Sequence, residues 1–102
     1  MKKPEECQSI LDIRDAVNEY DHRIIQLLGE RYVYVREAVR FKTGEEDIRR
    51  PGHIAELLEQ RRAWARESNV DENFVESIYR TLTDHSFELQ HELWQQANRS
   101  TK

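Results

Sequence analysis

Apolar residues recur along the first third of the chain at helical spacing. Val17, Ile24, Leu28, Val35, Ala38 and Val39 form one stripe, which predicts a helix over 9–42 with Ser9 or Asp12 as its cap. A rod of that length reaches roughly 45–50 Å, too far for a small lone subunit to cover. A second stripe, Ile54, Leu57, Leu58 and Ala65 with Trp64 near its end, follows Pro51, a residue suited to a first helical turn. Asn69 is the expected stop, and Asp71 the expected cap of a third helix running to about residue 97. That helix aims Val75, Ile78, Leu82, Leu89 and Leu93 inward, with Ser86 inside the stripe and Gln90 on its margin. The connector 43–50, glycine-containing and densely charged, reads as mobile, and the tail 98–102 as frayed. No segment alternates as a strand does. The expected fold is all-α, a single three-helix domain with a long first helix.

Two positions break the first stripe. Arg31 and Lys42 fall within it, three turns apart with a residual angle of only ~20° on an ideal helix. Charged groups are rarely buried unless something pairs with them. Two cations aimed inward, with Ser86 and Gln90 available on another helix, point to a small polyanionic ligand. The alternative for either cation alone is snorkelling or an ion pair with another helix. Arg14 precedes Arg31 by seventeen residues, or ~25 Å along one helix, so the two cannot converge on one small ligand within a chain. If Arg14 serves a site, that site belongs to a second chain, which would also cover the long first helix.

Composition narrows the function classes. The net charge of −4 gives no overall attraction to nucleic acid or to anionic membranes, so an anion must be caught by a local cluster of cations. No run approaches ~20 apolar residues, and the first residues lack the apolar core of a signal peptide; the expectation is no membrane partner and a cytoplasmic location. The single Cys7 has no evident base partner, and no serine elbow or glycine-rich phosphate loop is present. The Glu19/His22 and Glu88/His91 pairs have the spacing used by two-metal helical bundles. Both project away from the apolar stripes toward water, so no metal site is expected.

At these residues the chain resembles the all-helical chorismate mutases, and most closely their isochorismate pyruvate-lyase branch of salicylate biosynthesis. The likeness covers nearly the whole chain: Lys3-Pro4-Glu5-Glu6-Cys7, Asp12-Ile13-Arg14, Asp21, Leu28-Gly29 with Arg31, Tyr34-Val35, Phe41-Lys42, Trp64-Ala65 and Phe74-Val75-Glu76. The resemblance implies an intertwined homodimer with paired first helices and sites shared between chains. It implies that Arg14 is lent by the partner, that Arg31 and Lys42 come from the site's own chain, and that Gln90 comes from the third helix. Two positions depart from the pattern. His53 stands where the family usually has an arginine, with Arg49 or Arg50 as possible substitutes, and Ile54 replaces a glutamate of the mutases. Ser86, by contrast, matches a mutase serine.

The implied chemistry is pericyclic, on a small dicarboxylate, isochorismate or chorismate, with no nucleophile, metal or cofactor required. Arg14 and Arg31 would clamp carboxylates, arginine's planar fork being suited to bidentate binding. Lys42 and Gln90 would donate to the ether oxygen as charge develops there, and His53 and Ser86 would contact substrate. The expected function is an isochorismate pyruvate lyase with side activity as a chorismate mutase. The alternatives are a dedicated chorismate mutase and, of a different class, a non-catalytic helical interaction protein whose inward cations form buried ion pairs.

Overall fold

A computed structural model describes residues 2–100, with Ser100 described in its backbone only. Three α-helices, α1 (Ile10–Glu37), α2 (Pro51–Glu67) and α3 (Glu72–Ser100), account for most of the described residues, and no strand occurs among them. The chain divides into two compact units, Met1–Tyr34 and Val35–Lys102.

The first unit is a short 3-10 turn, Pro4–Glu6, and most of α1. Ser9 caps the helix: its Oγ accepts from the Asp12 N–H at 3.4 Å, satisfying one of the orphan donors of the first turn. The Asp12 carboxylate in turn accepts from the Gln8 N–H at 3.0 Å and from Lys2 Nζ at 3.1 Å. The Gln8 bond first, and Lys2 second, hold the Asp12 carboxyl below its ordinary range. Beyond the cap, Ile10, Ile13, Val17, Tyr20, Ile24 and Leu27 recur about every 3.5 residues, the spacing of a helix that packs along another helix. All six are exposed, Val17 to 52% and Ile24 to 53%. An apolar stripe of this length left in water calls for a partner surface.

The second unit is built on an α2–α3 hairpin. Its turn is fully specified by local chemistry. Asn69 adopts φ 58°, the left-handed conformation that asparagine tolerates, while Val70 N–H donates to Ala65 O at 2.9 Å and Asn69 N–H to Arg66 O at 3.2 Å. Those two bonds form a Schellman stop. Asp71 then caps α3, its Oδ1 accepting from the N–H groups of Asn73 at 2.8 Å and Phe74 at 3.2 Å. Leu58 and Ala65 of α2 are buried, and Arg62 ties the hairpin together by donating to Asn73 and Glu76. The Arg61 guanidinium lies over the rings of Trp64 and Tyr79, at 4.9 and 5.4 Å from their centroids.

The structure corrects the sequence reading in three places. The first helix does not reach Lys42: it ends at Glu37, tightens into a 3-10 turn over Ala38–Phe41, and leaves Lys42 extended at φ −84°, ψ 132°. The ~20° projection that set Lys42 beside Arg31 on one helical face therefore does not hold. The connector, read as mobile from its charge and glycine, is held: it forms a 3-10 turn, Glu45–Asp47, and buries Ile48 to 5% exposure. The tail expected to fray from residue 98 is helical to Ser100; residues 101 and 102 lie outside the described range.

Candidate active site

α3 carries a polar seam where the hairpin should be oily. Thr83, Ser86 and Gln90 are buried, with 4, 5 and 7% exposure. A buried polar group is costly unless it is hydrogen-bonded. Thr83 and Ser86 are served by their own helix: Thr83 Oγ donates to Tyr79 O at 2.7 Å and Ser86 Oγ to Leu82 O at 2.8 Å. Gln90 reaches off its helix, donating from Nε2 to Val35 O at 2.9 Å. That carbonyl lies in the last turns of α1, whose terminal carbonyls lack partners within the helix. The margin position expected for Gln90 is thus a buried one. One amide N–H is used by Val35, and the carboxamide has a second N–H and an acceptor oxygen besides.

Lys42 follows the 3-10 turn that packs against the same α3. Its neighbours Val39, Arg36 and Arg40, with Leu93 and Trp94 of α3, line an open pocket of about 500 Å³. Trp94 sits one turn beyond Gln90 on the same helix. Among the described residues the half-buried Lys42 forms no ion pair with a carboxylate; its Nζ donates to the main-chain carbonyl of Asp47 at 3.0 Å. A carbonyl partner orients the ammonium without neutralising it.

The Asp47 carboxylate is turned elsewhere. It accepts from the Thr43 N–H at 2.8 Å, from the Thr43 hydroxyl, and from Arg50 at 2.7 Å. The Thr43 hydroxyl first, then the Thr43 N–H and Arg50, push the Asp47 carboxyl far below its ordinary value of 3.8. A depressed carboxyl pKa contributes stability that is present above the unfolded value and lost only as pH falls through the folded one. The connector is therefore expected to stay closed through pH 4–5, where ordinary carboxylates take up protons. The connector also docks on α3: Arg49 bonds Asp84 at 3.0 Å and lies 4.9 Å over the Phe87 ring, and Glu45 meets His91 at 3.2 Å. Asp47, Thr43 and Glu45 escaped the sequence reading; the Thr43-x-x-x-Asp47 spacing was the one local signal.

The remaining expected residues fall as follows. Arg31 is half-buried and Arg14 exposed, both on α1 and both in the first unit. His53 is exposed in the first turn of α2. Arg49 and Arg50, its candidate substitutes, are engaged with Asp84 and Asp47. Glu19, His22 and Glu88 are exposed as projected, but His91 is not simply in water, because the connector folds back and brings Glu45 to it. Among the described residues no three His, Cys, Asp or Glu side chains gather in a metal-binding group, and no helix is long and apolar enough to cross a membrane.

A buried glutamine is bonded to the end of a long first helix, and a lysine just past the following 3-10 turn is held by a main-chain carbonyl, in a chain of three helices in the order already described. The sequence profile of the type II chorismate mutases matches residues 13–91, and the chain belongs to that family. It is 38% identical over 96 residues to an isochorismate pyruvate lyase of Pseudomonas aeruginosa, covering 94% of this chain and 95% of that protein. It is also 25% identical over 96 residues to a chorismate mutase of Methanocaldococcus jannaschii, covering 93% of this chain and 97% of that one. The family is one of enzymes, and the all-α architecture is its own.

Proposed function

We propose that this protein is an isochorismate pyruvate lyase, releasing salicylate and pyruvate, with chorismate mutase as a secondary activity. The observation that carries the reading is the 38% identity to a lyase along almost the entire length of both chains. The residues fit the chemistry. In the lyase reaction the bond between ring carbon and ether oxygen breaks, and a ring hydrogen moves to the methylene carbon of the enolpyruvyl arm. That carbon becomes the methyl group of pyruvate, and the ring is left aromatic. No group of the protein need form a bond.

The protein's task is then to fold the arm over the ring and to stabilise the charge that develops on the ether oxygen. Lys42 supplies a full positive charge from an oriented ammonium, and Gln90 a neutral amide donor from a buried position. Arg31 of one chain and Arg14 of a second hold the two carboxylates, in a homodimer formed by burying the exposed stripe of α1. The whole chain acts as one functional domain within that dimer, with Ser86 near the ring. Salicylate and pyruvate should appear in equal amounts without added metal, and the rate should survive a chelator; a chelator-sensitive rate would contradict a metal-free pericyclic mechanism.

A dedicated chorismate mutase is the second reading, favoured by one residue. Ser86 matches the mutase pattern and is buried on the seam that carries Gln90. Ile54, in place of the mutase glutamate, favours the lyase.

His53 takes the place of a family arginine, and its imidazole N–H can donate to a substrate carboxylate. His53→Ala is therefore expected to raise KM for isochorismate with little change in kcat. An unchanged KM would make His53 a bystander.

A further inference from the structure

Asp47 makes more polar contacts than any other residue of the connector, and none of them is explained by substrate chemistry. Its two ends do different work. The side chain closes the connector on itself through Thr43 and Arg50, while the main-chain carbonyl receives Lys42 Nζ at 3.0 Å. The bonds are reciprocal: residue 42 reaches 47 by its side chain, and residue 47 reaches back to 43 by its own. Such a ring fixes both ends with respect to each other. The Ile48 side chain, buried beside it, and the Arg49–Asp84 and Glu45–His91 contacts seat the ring on α3.

We propose that Asp47 is a positioning residue for Lys42, its carboxylate tying the connector closed so that its own carbonyl holds the ammonium aimed and uncompensated. The inference rests on the reading of Lys42 as the group that stabilises the ether oxygen. Its physical basis is a conflict in what a catalytic lysine requires. The long stem has many rotamers and needs an acceptor to fix it, yet a carboxylate acceptor would cancel the charge the reaction uses. Asp47 resolves the conflict by facing Lys42 with its neutral end. One of the three ammonium hydrogens goes to the carbonyl, and two remain for substrate. The acid itself is occupied by three donors, and charge-assisted bonds of that kind are the stronger ones. Exposed pairs such as Arg49–Asp84 contribute little singly, so the tie at Asp47 is the part whose loss should be felt.

The test combines turnover with an activity-independent probe of Lys42. Wild type, Asp47→Ala and Asp47→Asn are assayed with isochorismate, and each is labelled briefly with acetic anhydride, the extent at Lys42 being read by mass spectrometry against Lys2. In Asp47→Ala, kcat should fall by about 10- to 100-fold, the scale of a misplaced catalytic group, with KM changed less than about twofold. Lys42 labelling should rise several-fold as the amine is released, with unchanged far-ultraviolet circular dichroism. Asp47→Asn, which keeps an acceptor for Thr43, should fall between the two. A kcat for Asp47→Ala within about twofold of wild type overturns the proposal, as does a fall in kcat with no change in labelling. If wild type turns over neither isochorismate nor chorismate, the proposed function fails instead. Labelling then decides alone, a rise in Asp47→Ala upholding the tie and no rise refuting it.

Discussion

Lys42→Ala should lower kcat by about 10²–10³-fold, the usual cost of removing one preorganised donor to a developing oxyanion. The lysine is half-buried, extended after the 3-10 turn, and held by a carbonyl rather than by an acid. Its full charge is therefore available when the ether bond breaks and only partly used before, so the loss should fall on kcat more than on KM. Lys42→Arg should recover little, because a planar fork on a different stem cannot occupy the place of a point charge. Steady-state kinetics with isochorismate measure both variants, and near-normal kcat in Lys42→Ala would remove the electrostatic role.

The second large effect concerns the dimer. Arg14 and Arg31 lie seventeen residues apart on α1, ~25 Å along a helix, and both are proposed to grip one small dicarboxylate. That requires two chains. Arg14→Ala and Arg31→Ala should each be almost inactive alone. Unfolded and refolded together in equal amounts, they should give heterodimers as about half of all dimers, if exchange is random. One site of each heterodimer collects both defects and the other collects neither. About a quarter of wild-type activity should return, since one site in four is intact. Two defects confined to a single chain could not be separated by mixing chains. Heterodimers without activity would end the shared-site model.

Much of the helical framework was legible because its signals are local. Pro51, the Asn69 stop and the Asp71 cap act within a turn of where they stand, and each is where the sequence put it, while of the two caps it offered for the first helix the structure uses Ser9. The end of α1 was not legible, for a reason visible in the pattern. Ala38 and Val39 continue the apolar spacing through a 3-10 turn, where a tighter winding still keeps them facing inward. The connector misled in the opposite way. Dense charge reads as solvated and loose, but here the connector finds partners far along the chain, Arg49 in Asp84 and Glu45 in His91. Gln90 looked marginal on its own helix and is buried because α1 offers it a terminal carbonyl. Arg31 was legible in part: a cation inside an apolar stripe is half-buried, but its ligand follows from family likeness and not from the stripe.

The central claim is the choice of substrate, and one measurement bears on it directly. Purified protein offered isochorismate and chorismate in parallel should show a higher kcat/KM for salicylate from isochorismate, read by its fluorescence, than for prephenate from chorismate. Prephenate formation with the higher kcat/KM would contradict the lyase assignment and make the protein a chorismate mutase on the same fold.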